Sequence, residues 1–235
     1  MSSTKLLAFD CAYHACHAAL LSDGTVTLLD WKAPDLDSET LLSMARQYKV
    51  TTVLLTGPKA MYFPQKIKEI TIAKTKRIEA LAQGITFLAL TQASLVVVIE
   101  TGIHLFYQSD EVLYLGSLPY SFASCDLTEN LAATAEMGEE LPEPFSICHT
   151  FALHQERNAP VQELLGYTIS LAIKEFLQRY QIQHCYIANS LGIAEAEILQ
   201  GLVDKATVEL LPHAEHIACT GLLLPHLPSY EPADS

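Results

Sequence analysis

Lys5-Leu-Leu-Ala-Phe-Asp10-Cys-Ala-Tyr-His-Ala-Cys-His17-Ala-Ala-Leu-Leu21-Ser-Asp-Gly24-Thr-Val-Thr-Leu-Leu-Asp30 is the stretch on which the fold of this 235-residue chain turns. An apolar strand ends on the acid Asp10, a short turn follows, and a second apolar strand runs to Ser22-Asp-Gly24. Asp23-Gly24 between two β-rich runs is a strong hairpin signal, so a third strand leaves antiparallel to the second. A strand that delivers one carboxylate to a tight turn is a common way to place a metal-binding or phosphate-facing acid. Asp10 is therefore the first candidate residue.

Working outward, Asp37-Ser38 with Glu39 caps a helix that ends near Tyr48. The run Val50 to Thr56 then reads as a fully buried strand, closed by Gly57-Pro58. Three meandering strands, a helix and a parallel strand are the opening of a ribonuclease-H-like layer. Residues 69–73 form a short strand, and helical spacing over 76–90 puts Ile78, Leu81, Ile85 and Leu88 on one face.

The pattern then recurs. Ser94 to Ile99, Gly102 to Tyr107 and Glu111 to Gly116 again read as strand, turn, strand, turn, strand. Helices are expected near 127–137, over 161–180 after Pro160, over 193–205 and over 214–224, with strands at 183–188 and 207–211. The expected architecture is α/β: two ribonuclease-H-like (actin-like ATPase) lobes with mixed sheets flanked by helices, one at 1–92 and one at 93–235.

Composition narrows the function. Half of the chain is hydrophobic and 17% is charged, so it can bury a sizeable core. The formal charge of −13 argues against a nucleic-acid surface, because phosphate backbones are bound by clusters of Lys and Arg. No apolar run is long enough to cross a bilayer, and Met1-Ser-Ser-Thr-Lys5 leads straight into a strand, so neither a membrane span nor a secretory leader is read. A cytoplasmic location is the expectation. Cys11, Cys16, Cys125, Cys148, Cys185 and Cys219 form no CxxC pair, which leaves no zinc spacing.

The two β-units resemble the actin-like, sugar-kinase and Hsp70 superfamily, whose two lobes clamp ATP between paired phosphate-binding turns. Within it the motif order looks most like type II pantothenate kinase. Asp10-Cys-Ala-Tyr-His-Ala-Cys-His17 stands where that family has Asp-x-Gly-Gly-Thr-x-x-Lys. Leu54-Leu-Thr-Gly57 resembles its strand ending in Thr-Gly-Gly. Arg77-Ile-Glu79-Ala-Leu-Ala-Gln-Gly84 resembles its Glu-x-Asp-x-x-x-x-Gly helix start. Val98-Ile-Glu-Thr101-Gly102-Ile-His104 resembles Gly-Thr-Gly-Thr-Ser, and Cys185-Tyr-Ile-Ala-Asn189-Ser190 its adenine-side loop.

The resemblance implies ATP-dependent phosphorylation of pantothenate or a similar small hydroxyl substrate by a homodimer. It implies Asp10 as the ligand of Mg²⁺ and Glu79 as the catalytic base. It places His17, Thr101, Gly102, Asn189 and Ser190 with Asp10 on the nucleotide. Both glycines of the first phosphate turn are replaced here, by Ala12 and Tyr13, and His17 stands in place of the lysine; the residue aligned with the expected base is Arg77. Phosphate cradles need glycine because the backbone approaches the phosphates closely. A catalytically inactive relative is thus one form of the same expectation. The opening strand also looks like the start of TsaB, the non-catalytic actin-like partner in threonylcarbamoyl-adenosine tRNA modification, of whose Gly-Pro-Gly-Ser-Phe-Thr-Gly signature Gly57-Pro58-Lys-Ala-Met-Tyr-Phe63 keeps a part.

Overall fold

Asp10 is the last residue but one of strand β1 (Leu6–Cys11), and the strands around it are paired as the opening stretch foretells. The fold was obtained as a computed structural model, which describes residues 5–12, 15–33, 35–88, 90, 92–100, 102–121, 159–190, 195–202, 204 and 206–227. The helix expected near 127–137 lies outside the described residues.

The chain divides into two compact units, Met1–Ala89 with Glu215–Ser235, and Leu90–Ala214. The C-terminal stretch, which the sequence reading counts with the second lobe, therefore folds with the first unit. In that unit β1, β2 (Cys16–Ser22) and β3 (Thr25–Ala33) form an antiparallel meander. Helix α1 (Ser38–Tyr48) follows, its first turn capped by the Asp37 carboxylate accepting from Thr40 N–H at 2.7 Å. Strand β4 (Thr52–Thr56) then lies parallel to β1, and β5 (Lys66–Ile67) and β6 (Ile70–Lys74) complete the order β3-β2-β1-β4-β6-β5.

Alternation along the strands sends Leu7, Phe9 and Cys11 to one face and Leu6, Ala8 and Asp10 to the other. The first face shares a core cluster with Leu41, Leu42, Met44 and Ala45 of α1. The other face meets α5 (Ile217–Leu223), against which α2 (Arg77–Phe87) is packed. That helix pair is close enough for backbones to touch. A Cβ on Gly221 would lie 1.8 Å from the Ala80 carbonyl oxygen, and one on Gly84 2.0 Å from that of Ile217. These two glycines seat the C-terminal helix on the first unit.

The second unit repeats the scheme. Strands β7 (Ser94–Ile99), β8 (Gly102–Gln108) and β9 (Val112–Ser121) form the meander. Helix α3 (Ala159–Tyr180) leads to β10 (His184–Asn189), parallel to β7, and α4 (Glu195–Leu202) to β11 (Thr207–Leu210), parallel to β10. The order β9-β8-β7-β10-β11 matches β3-β2-β1-β4-β6 strand for strand. Leu95, Val97 and Ile99 of β7 bury against Ile169, Ile173 and Leu177 of α3 and Ile198 and Leu202 of α4. Two mixed sheets with helices on their faces, and a duplicated topology, are the architecture the sequence reading expects.

Candidate functional site

The first turn is built around a buried carboxylate. Asp10 is 2% exposed and stands between His17 of β2 and Thr56 of β4 in the sheet register. Thr56 Oγ1 donates to the carbonyl of Thr75 at 3.0 Å, and Thr75 N–H donates to Leu55 O at 3.0 Å. Those two bonds fix the segment that enters α2. The first residue of that helix, Arg77, reaches back so that its Nη1 pairs with Asp10 Oδ1. An arginine keeps its charge across the ordinary pH range, so the cation beside Asp10 is always present.

Glu79, the expected base, lies two residues further into α2. Its side chain is exposed, with Lys76 Nζ at 3.9 Å. The α2 residue brought to Asp10 is thus Arg77 and not Glu79. His17 sits opposite Asp10, its ring edge-on to His216 with centroids 5.3 Å apart, and its carbonyl accepts from the Cys219 thiol at 3.2 Å. Residues from the far end of the chain therefore furnish this turn.

The glycine that follows β4 packs against the base of the turn. Gly57 has φ +94°, and a Cβ there would lie 2.4 Å from the Cys11 carbonyl oxygen. Cys11 and Cys16 face each other at the base of the turn, and their thiols are joined by a hydrogen bond. That bond stabilises a Cys16 thiolate and raises Cys11, so Cys16 is the more acidic partner. Burial holds the Cys219 thiol well above its ordinary range.

The second turn joins β7 to β8. Thr101 lies outside the described residues. Gly102 accepts from Glu100 N–H at 2.9 Å, which closes the turn. Asn189 pairs in register with Ile99, and Ser190 donates to the Ile99 carbonyl through both its N–H (3.1 Å) and its Oγ (3.2 Å). Gly102, Asn189 and Ser190 are thereby gathered at one end of the second sheet.

Beside them runs a chain of side chains that the sequence reading leaves unassigned. Glu100, 3% exposed, takes His104 Nε2 at 3.2 Å. His104 Nδ1 lies 2.8 Å from Ser117 Oγ, and that hydroxyl lies 2.5 Å from the Tyr114 phenol oxygen. The β8–β9 register sets His104 opposite Ser117 and Phe106 opposite Tyr114, which a strand alternation pattern could have suggested had β9 been aligned.

The carboxylate that the resemblance assigns to Mg²⁺ is engaged by the Arg77 guanidinium, so an ion at Asp10 would have to share or displace that partner.

This two-sheet arrangement defines the chain as an α/β protein of the actin-like ATPase fold. No sequence profile of a known family matches the chain, and no curated protein does. Solved structures do. The activator of the 2-hydroxyisocaproyl-CoA dehydratase from Clostridium difficile, with bound ADPNP, superposes with a TM-score of 0.56 at 12% identity, over 94% of this chain and 92% of that one. Glucokinase from Balamuthia mandrillaris, in complex with glucose, gives 0.52 at 10% identity over 94% and 93%. The ethanolamine utilization protein EutJ from Carboxydothermus hydrogenoformans gives 0.51 at 12% identity over 94% and 90%. At such identities the likeness is one of fold.

Proposed function

We propose that the chain is a nucleotide-binding protein of the actin-like kinase and ATPase fold, similar to type II pantothenate kinase, that binds ATP without Mg²⁺ and does not transfer its phosphoryl group. The observation that carries this is the ion pair of Arg77 with Asp10. Phosphoryl transfer on this fold needs an acid free to position a metal, and a base within reach of the acceptor hydroxyl. Here a fixed cation occupies the acid, and an arginine fills the helix position where a base is expected. An arginine can also supply positive charge to a phosphate, in the planar geometry that suits it.

The fold itself supports the nucleotide. Of the three structures named above one holds ADPNP and one is a glucokinase. The resemblance to type II pantothenate kinase supplies the acceptor class to be tested, pantothenate or a similar small hydroxyl compound. It also supplies the expectation of a homodimer. Exposed Tyr167 and Leu171, one turn apart on α3, offer an apolar patch for such self-association.

The test is ADP release from ATP and Mg²⁺ with pantothenate present. No acceptor-dependent ADP above a protein-free control is expected. Pantothenate-dependent turnover that Asp10→Asn and Glu79→Gln each abolish would instead make the chain an active kinase with those two residues in the roles the resemblance implies.

A further inference from the structure

The two cysteines at the base of the first turn have no part in the nucleotide reading. Cys11 ends β1 and Cys16 begins β2, and they are directly opposite partners in the antiparallel ladder. Such partners have Cα atoms about 4.5 or 5.5 Å apart. A disulfide needs a Cα separation of about 4.4–6.8 Å, so the ladder already holds the pair at bonding range. Both residues are 0% exposed.

Their surroundings single them out from Cys185 and Cys219, the other described thiols. Both belong to the core cluster with Ala60 and Phe63. Asp10 and His17, the neighbours of the pair along the strands, point to the opposite face, where the Cys219 thiol is engaged by the His17 carbonyl. Among the described residues of the second unit Cys185 is the one cysteine, and burial pushes its thiol up to about 12.

We propose that Cys11 and Cys16 are a redox pair, closed to a disulfide in the folded chain by a water-sized peroxide and reopened by a dithiol once the chain is unfolded. One thiol loses its proton and attacks a peroxide oxygen, forming a sulfenic acid while the O–O bond breaks and hydroxide takes up a proton as water. The second thiol attacks that sulfur, the S–O bond breaks, and the departing hydroxide leaves as a second water. Two thiols and one peroxide thus give one disulfide and two waters. Both sulfurs are oxidised and both peroxide oxygens reduced. Burial sets the size of the oxidant, since a bulky disulfide has no path to sulfurs with no exposed surface. The new bond would close a ring over residues 12–15, the turn itself, whether or not that turn meets a nucleotide.

The experiment uses the full chain, reduced and freed of reductant, treated with hydrogen peroxide, alkylated after denaturation, and mapped by mass spectrometry without reduction. The expected product is one peptide in which Cys11 and Cys16 are joined, two hydrogens lighter than the dithiol. Dithiothreitol added to the denatured chain should restore both thiols, and Cys185 and Cys219 should be alkylated throughout. Recovery of Cys11 and Cys16 as alkylated thiols after peroxide would overturn the proposal. So would a bond from either to Cys219, or sulfinic acid at either position that dithiothreitol does not reverse. The mapping needs no variant, and so does not depend on whether a cysteine substitution folds.

Discussion

The turn that ends β1 and the turn that ends β7 hold the same place in two sheets of the same strand order, yet they are secured by different chemistry. The first is locked by groups that have one arrangement: a buried carboxylate on an arginine, and a glycine whose backbone presses on Cys11. The second is held by a chain of exchangeable groups, Glu100, His104, Ser117 and Tyr114, in which the histidine is charged only when protonated. A duplicated topology therefore does not bring a duplicated site. The sheet supplies the position of the acid, and whatever the next helix or strand delivers to that acid decides its chemistry.

Substitutions can break this contrast. Arg77→Ala should have the largest effect, a loss of about 4 kcal/mol in urea unfolding, because it removes the cation that faces a buried carboxylate. Gly57→Ala should follow at about 3 kcal/mol, from strain at positive φ and the clash with the Cys11 carbonyl. In the second turn His104→Ala should cost only about 1–2 kcal/mol, since it removes hydrogen bonds and not a cation that is always present. Equal losses for Arg77→Ala and His104→Ala would erase the distinction between the turns.

The smallest effect is a pH dependence common to both units. Cys185 is raised by burial from 9.0 to about 12, and Cys219 is raised in the same direction. A thiol that stays protonated in the folded chain adds stability that is complete below pH 9. That stability declines as pH rises from about 9 towards 12, because the unfolded chain then releases a proton the folded chain keeps. Unfolding free energies of the wild type and Cys185→Ala, measured at intervals from pH 8 to 11, should show a shallower fall for the variant. Parallel curves would mean that Cys185 ionises freely in the fold.

Much of the fold was legible because strand runs such as Leu6 to Phe9 and Leu95 to Ile99 are apolar, and Asp23-Gly24 marks its hairpin. Asp10 was legible for the same reason, as an acid near the end of a buried strand. What decorates it was not. Arg77 is 67 residues away, and on its own a cation beside the first turn of a helix looks like surface charge. Cys219 and His216 come back from the far end of the chain through a contact between Gly84 and Gly221 helices, which no local periodicity reports. Glu100 stood inside a quoted motif, but its importance rests on burial and on His104 arriving from the next strand.

The central claim is that Arg77 has taken the place of a metal at Asp10. Calorimetric titration of the full chain with ATP, once with Mg²⁺ and once with a chelator, tests it most directly. Binding of equal affinity in both buffers is the expected result. Binding that appears only with Mg²⁺, or no binding at millimolar ATP in either buffer, would contradict it.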